Sequence, residues 1–167
     1  QAVLKTENGY RFFGGVSKGV EKRSRAKTRI IANALQDLIE NSGKVFIMGH
    51  RFGDLDSVGA ACGLAGALNL LHKEVFIAVD RTKNLALNLI EYVDEQTKHS
   101  LFITPGEAES LITSDDLLII VDTHNKLYVE SRALYEKSKS TVVIDHHRKT
   151  VNFIDDAVIF HHEPYAS

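Results

Sequence analysis

From Lys44 onward the chain alternates short, wholly apolar runs with longer stretches at helical spacing. The runs KVFIM, EVFIAV, LFI, LLIIV and TVVI are too short for helices and lack the polar alternation of a half-buried strand. Between them lie SVGAACGLAGALNLLHK, a stretch over residues 85–95, GEAESLI and YVESRALYEKS, all of which read as helices. Wholly apolar strands alternating with helices predict an α/β domain over residues 44–167, built on a mostly parallel sheet with helices on both faces. A weaker strand is expected near residues 157–160.

The segment before Lys44 has a different texture. Residues 1–23 contain VLKTENGYRFFGGVSKG, where Asn8-Gly9 and Gly14-Gly15 are turn dipeptides around a short aromatic run, so two short strands are expected. Residues 24–43 place Ile30, Ile31, Ala34, Leu35, Leu38 and Ile39 on one helical face, with Ser24 as the expected cap and Asn41-Ser42-Gly43 as the stop. The chain thus divides into a short β-rich remnant of a preceding domain, a linker helix, and the α/β domain. The basic cluster from Lys18 to Arg29 is broken by Glu21 and has no interleaved aromatics, so it reads as a solvated linker face.

Composition narrows the function classes. A net charge of −2 supplies no polycationic surface for counterion release, so duplex DNA is not an expected partner. The single cysteine, Cys62, lies in an apolar run and cannot form an internal disulfide, which suits a reducing cytoplasm. No apolar stretch approaches the ~20 residues of a spanning helix, so no membrane contact is expected from this segment. The chain starts inside a strand-and-turn pattern and stops without a terminating signal, and it reads as a fragment of a larger protein.

The chemistry sits at the strand ends. In an open α/β sheet, ligands bind beyond the carboxyl ends of the strands. The first strand runs into His50, followed by Asp54 and Asp56; the strand LLIIV runs into Asp122 and His124; the strand TVVI runs into Asp145, His146 and His147. A strand-end aspartate taken alone is more often a cap or turn former, and Asp56-Ser57 is a plausible helix N-cap. His72 and His99 read as surface residues, and His161 and His162 as structural.

Three clusters on one sheet edge change that balance, because uncompensated carboxylates held close repel one another. A multiply charged cation resolves the conflict. The mixed imidazole and carboxylate set, without a second cysteine, favours a divalent first-row metal such as Mn²⁺ over Ca²⁺ and leaves Mg²⁺, Co²⁺ and Zn²⁺ open. Two ions about 3.5–4 Å apart would clamp a phosphoryl group for in-line attack.

The strings His50-x3-Asp54-x-Asp56-Ser57, Val121-Asp122 and Asp145-His146-His147 resemble the motif series of the DHH phosphoesterases. That family includes RecJ-type nucleases, family II inorganic pyrophosphatases, oligoribonucleases and cyclic di-AMP phosphodiesterases. The longer strings MGHRFGDLDSVGAA, VDTHN and VIDHHRK most resemble the GdpP-type cyclic di-AMP phosphodiesterases. ENGYRFFGGVSKGVEKRSR resembles the end of the degenerate GGDEF domain that precedes the catalytic domain there.

The resemblance implies that His50 and Asp54 bind one metal, Asp56 and His146 a second, and that Asp122 bridges them. It further implies that His147 contacts the scissile phosphate, that Asp145 orients the adjacent imidazoles, and that His124 touches substrate. The implied activity is hydrolysis of cyclic di-AMP to the linear dinucleotide pApA by a metal-bound hydroxide, with two divalent ions, Mn²⁺ expected. The alternatives are a nanoRNase or pyrophosphatase of the same family, or a nucleotide sensor without turnover. The resemblance also implies a further aspartate ligand after a helix starting near residues 164–167, and then a DHHA1 domain, both beyond this segment. It places membrane helices and a PAS domain ahead of the segment, anchoring the complete protein in the bacterial membrane with this domain on the cytoplasmic side, and leaves room for a homodimer.

Overall fold

The computed structural model describes residues 2–6, 9–13, 18–97, 100–148 and 150–162, with side chains from Thr28 onward. The chain divides into two compact units, Gln1–Gln36 and Asp37–Ser167. In the first, strands β1 (Ala2–Thr6) and β2 (Gly9–Phe13) pair antiparallel, with Ala2 opposite Phe13 and Thr6 opposite Gly9. The expected Gly14-Gly15 turn lies outside the described residues, as do Asn8, His99 and the helix start expected near residues 164–167.

Helix α1 (Lys18–Asn41) begins before Ser24, which therefore lies in its interior instead of capping it. The run of Lys, Glu, Arg and Ala that reads as a linker is itself made of good helix formers, so the helix propagates back through it. Its end is where the sequence places it: the Ser42 N–H donates to the Ile39 carbonyl at 3.2 Å, and Asn41 Nδ2 donates to the Asp37 carbonyl at 2.7 Å.

The second unit runs β3 (Val45–Met48), α2 (Leu55–Leu70), β4 (Val75–Ala78), α3 (Leu87–Gln96), β5 (Phe102–Ile103), α4 (Pro105–Leu111), β6 (Leu117–Val121), α5 (Arg132–Lys137), β7 (Thr141–Asp145) and β8 (Ile159–His162). The six strands form one sheet in the order β5-β4-β3-β6-β7-β8, and every neighbouring pair is parallel. All four residues of β3 are 0% exposed, so both faces of the central strand are covered. Phe46, Met48, Leu118, Ile120 and Val143 alternate onto one face and pack with Ala108 of α4, Ile112 just after it, and Leu134 and Tyr135 of α5. The alternate residues Val45, Ile47 and Ile119 face the other way. There α2, which packs on β3, β4 and β6, contributes Val58, Ala61, Ala65 and Leu68 to the core.

The path of the chain positions the site. From β3 the strands step outward through β4 to β5, then the chain returns past β3 and steps outward the other way through β6, β7 and β8. The winding reverses between β3 and β6, and a crevice opens there at the carboxyl ends of the strands.

Two elements differ from expectation. α5 starts at Arg132, because residues 125–130 turn: the Asn125 side chain accepts from the Leu127 N–H at 2.9 Å and the Asn125 carbonyl from the Tyr128 N–H at 2.9 Å. Strand β8 starts two residues later than expected and carries His161 and His162 to its end, with His162 opposite Asp145. Among the described residues, no helix is long and apolar enough to cross a membrane.

Candidate metal centre

His50 follows the central strand β3, and Gly49 sets the close approach behind it. A Cβ on Gly49 would lie 1.8 Å from Ser57 Oγ, so only glycine lets the first turn of α2 abut the end of β3. Asp54 has an extended backbone and caps α2, its Oδ1 accepting from the N–H groups of Asp56 and Ser57 at 3.0 Å each. The cap is thus Asp54 and not Asp56, since the extended residue just ahead of the helix is the one whose carboxylate can reach back to those N–H groups. Asp56 lies in the first turn with a side chain 69% exposed.

Asp122 follows β6 with a backbone φ of 58°, the left-handed region that few residues other than glycine adopt. Its short polar side chain makes Asp one of the residues that tolerate it. Its carboxylate is buried and bound on both sides. Oδ2 lies 3.5 Å from His50 Nε2, and Oδ1 lies 3.1 Å from His146 Nε2 and 3.7 Å from His147 Nδ1. His50 Nε2 is also 3.8 Å from Asp54 Oδ1, and His146 Nε2 is 4.0 Å from Asp56 Oδ2. Two groups of donors result, His50 with Asp54 and Asp122, and Asp122 with His146 and His147, and the only member common to both is Asp122.

These imidazole nitrogens and carboxylate oxygens fit divalent first-row metal ions. Three aspartates face three imidazoles in this space, and at His50 and Asp54 the neighbours favour the charged form. The hydrogen bond to Asp122 raises the His50 pKa above its ordinary value, outweighing the burial that opposes it. Burial pushes Asp54 up, but the N–H groups of Ser57 and Asp56 and the nearby His50 outweigh it, and the carboxyl ends below its usual range.

Behind this pair lies a second network. Asp145 is 4% exposed, and its Oδ1 accepts from the N–H groups of His146 and His147 at 2.9 and 3.2 Å and from His147 Nδ1 at 2.8 Å. Its Oδ2 is hydrogen-bonded to His124 Nδ1. Burial raises the Asp145 pKa, yet the bonds from His124 and His147 prevail and lower it overall. His124 is 2% exposed, and its Nε2 accepts from the Thr150 N–H at 3.0 Å. Both ring nitrogens of His124 are therefore engaged inside the protein. His162 Nε2 meets the His147 carbonyl at 2.8 Å, so the β8 histidine read as structural borders the site.

Glu130, which sequence reasoning passed over, is the carboxyl with the largest upward shift near the centre. Burial pushes it up to about 7, with help from the Asp80 charge and against Lys83 and His50. No local pattern marks it, because its neighbours come from β4 and β3.

Residues 44–167 match the DHH family, N-terminal domain. The chain belongs to this family. It is 40% identical over 172 residues to the cyclic-di-AMP phosphodiesterase GdpP of Bacillus subtilis (strain 168), covering all of this chain and 26% of that protein. It is 36% identical over 173 residues to the cyclic-di-AMP phosphodiesterase PdeA of Listeria monocytogenes serotype 1/2a (strain 10403S), again covering 26% of the relative. The chain thus spans about a quarter of the length of these curated relatives. In fold it is similar to an exopolyphosphatase-related protein from Bacteroides fragilis, with a TM-score of 0.64 and 19% identity, over 81% of this chain and 39% of that one. The DHH resemblance read from the strand-end motifs stands, and so does the parallel α/β architecture.

In this DHH-family domain His50, Asp54, Asp122 and His147 line a cavity of about 520 Å³. Its lining includes Asp122, His124 and Asp145 and also Arg51, Phe52 and Tyr128, which the sequence did not single out.

Proposed function

We propose that this domain carries the metal centre of a phosphodiesterase that hydrolyses cyclic di-AMP to pApA. The observation that carries the reading is the Asp122 carboxylate, with one oxygen 3.5 Å from His50 and the other 3.1 Å from His146. A carboxylate presented on two sides is what two closely spaced ions require as a bridge. The relatives named for cyclic di-AMP hydrolysis match over the whole chain at 36–42% identity, which supports the choice of substrate.

The division of roles follows from which atoms are already used. His50, Asp54 and Asp122 would hold the first ion. Asp54 Oδ1 serves the α2 cap, so Oδ2 is its ligand atom. His146 and Asp122 would hold the second, and since His147 Nδ1 is bound by Asp145, Asp56 is its third donor from this domain. Bound divalent cations, Mn²⁺ by donor type, supply activated water and charge neutralisation at phosphorus. His147, fixed through Nδ1, has Nε2 left for a phosphate oxygen. His124 acts as a positioning residue that holds Asp145, and through it the orientation of His147.

The test is product analysis with a protein extended to the length of its curated relatives, supplied with Mn²⁺ and cyclic di-AMP, a short linear RNA, or pyrophosphate. Preferential conversion of cyclic di-AMP to pApA, abolished by EDTA, is expected. Preference for RNA or pyrophosphate would reassign the substrate, and metal-independent turnover would remove the two-ion reading. The segment alone should be nearly inactive, because the family resemblance implies a further aspartate ligand and a second domain that holds substrate from the other side.

A further inference from the structure

Arg51, Phe52 and Tyr128 form a group that the metal centre does not use. The Arg51 guanidinium carbon lies 4.9 Å from the centre of the Phe52 ring and 5.5 Å from that of Tyr128, so one cation is shared by two aromatic faces. Both rings are unusually exposed for aromatics, Phe52 at 49% and Tyr128 at 50%. Arg51 has no carboxylate partner among the described residues. All three line the same cavity as Asp122 and His147, and Arg51 directly follows the ligand His50.

The group is rigidly mounted. The Arg51 N–H donates to the Tyr128 carbonyl at 2.8 Å, His50 and Val129 form an antiparallel bridge, and the Glu130 N–H donates to the Gly49 carbonyl at 2.9 Å. These bonds clasp the loop after β3 to the turn after β6, so the backbone that carries the rings needs little ordering when a ligand arrives. The neighbouring Gly53 carbonyl is also fixed, accepting from the Leu85 N–H at 2.8 Å.

We infer that Arg51, Phe52 and Tyr128 form a stacking platform for a nucleobase of the ligand whose phosphate sits at the metal centre. Half-exposed aromatic faces with an unpaired guanidinium suit a planar, electron-rich ring attached to an anion, and they offer nothing specific to a bare phosphate chain. The platform lines the same cavity as Asp122, where the phosphate would be held. This inference rests on the reading that the two ions hold a phosphoryl group. It adds a means of choosing nucleotides over inorganic phosphates, and it is sequence-tolerant because every base has a π-face.

The probe pair is AMP and ribose 5-phosphate, which share phosphate and sugar and differ by the base. Titration of the Mn²⁺-loaded, full-length protein should show tighter binding of AMP. Replacing both rings, Phe52→Ala with Tyr128→Ala, should reduce that preference about ten-fold, the scale of one base stacked on aromatic side chains. Tyr128→Phe should retain it. Mn²⁺ stoichiometry measured on each variant confirms that the centre is intact. A preference for AMP that survives loss of both rings overturns the platform. Hydrolysis of cyclic di-AMP and of linear pApA by the wild type is read alongside. Absence of both activities with a ring-dependent AMP preference would remove the proposed function and leave the platform. Turnover with a ring-independent preference would do the reverse, and the ratio of the two rates separates a cyclic from a linear nucleotide as the ligand.

Discussion

His124 and Asp145 are joined by a hydrogen bond from Nδ1 to Oδ2, and the other ring nitrogen of His124 is closed off by the Thr150 N–H at 3.0 Å. A histidine so enclosed works through what it holds. Replacing His124 by Ala leaves a buried carboxylate oxygen and a backbone N–H without partners, a loss of about 2–3 kcal/mol in stability. Activity should fall through misplacement of His147, with Mn²⁺ stoichiometry unchanged. Chemical denaturation and metal titration on the same variant check this, and loss of a metal equivalent would contradict the positioning role.

Asp122 should behave differently because it belongs to both donor groups. Asp122→Asn keeps a side chain that tolerates a φ of 58° and removes the charge, so both Mn²⁺ equivalents should weaken together and kcat should collapse. Asp122→Ala should add about 1–2 kcal/mol of backbone strain to the same loss. His146→Ala should weaken one equivalent only. If His146→Ala and Asp122→Asn give the same metal stoichiometry, the bridging role is wrong.

Gly49 offers a test of the close approach between β3 and α2. Gly49→Ala places a methyl group 1.8 Å from Ser57 Oγ and should cost about 1–3 kcal/mol through overpacking. In the double variant with Ser57→Ala, the nearest remaining neighbour of that methyl is Ser57 Cβ at 3.2 Å, so most of the loss should be recovered. A double-mutant cycle with no coupling would contradict the contact.

Glu130 gives stability a pH dependence with a defined sign. Its pKa is about 7 in the fold against an ordinary value of 4.5, so the folded chain holds this proton more tightly than the unfolded one. The contribution is fully present below 4.5 and is lost as pH rises through about 7. Glu130→Gln should flatten that slope and stabilise the protein at pH 8 by roughly 1 kcal/mol, a figure reduced for solvent screening. Denaturation midpoints at pH 5 and pH 8 provide the measurement, and a variant that is less stable at pH 8 would contradict it.

The sheet and the gathering of His and Asp side chains at its edge were legible because both depend on local pattern. Strands β3, β6 and β7 are apolar runs that end in His or Asp, and their burial on both faces is what makes them apolar throughout. The left-handed backbone at Asp122 was not legible, since the sequence signal for it, an Asp, serves many other conformations. The burial of His124 depends on Thr150 arriving from the loop after β7, and the nucleobase platform on a bridge between His50 and Val129. Neither approach leaves a trace in the residues nearby. The N-cap considered for Asp56 is made by Asp54, a shift of two residues that propensity alone does not resolve.

The order in which the donor groups appear along the chain has a consequence for biogenesis. One group, His50 with Asp54 and Asp122, is complete once β6 has taken its place beside β3, whereas the other waits for His146 and His147 beyond β7. Neither exists in a chain that has only its local contacts, because the first needs β3 beside β6 and the second needs β6 beside β7, pairings between segments well separated in sequence. A nascent chain would therefore acquire its ions in sequence, the first as β6 docks on β3 and the second as β7 pairs with β6. Each ion would then fasten long-range pairings that form slowly and would be the last to let go on unfolding.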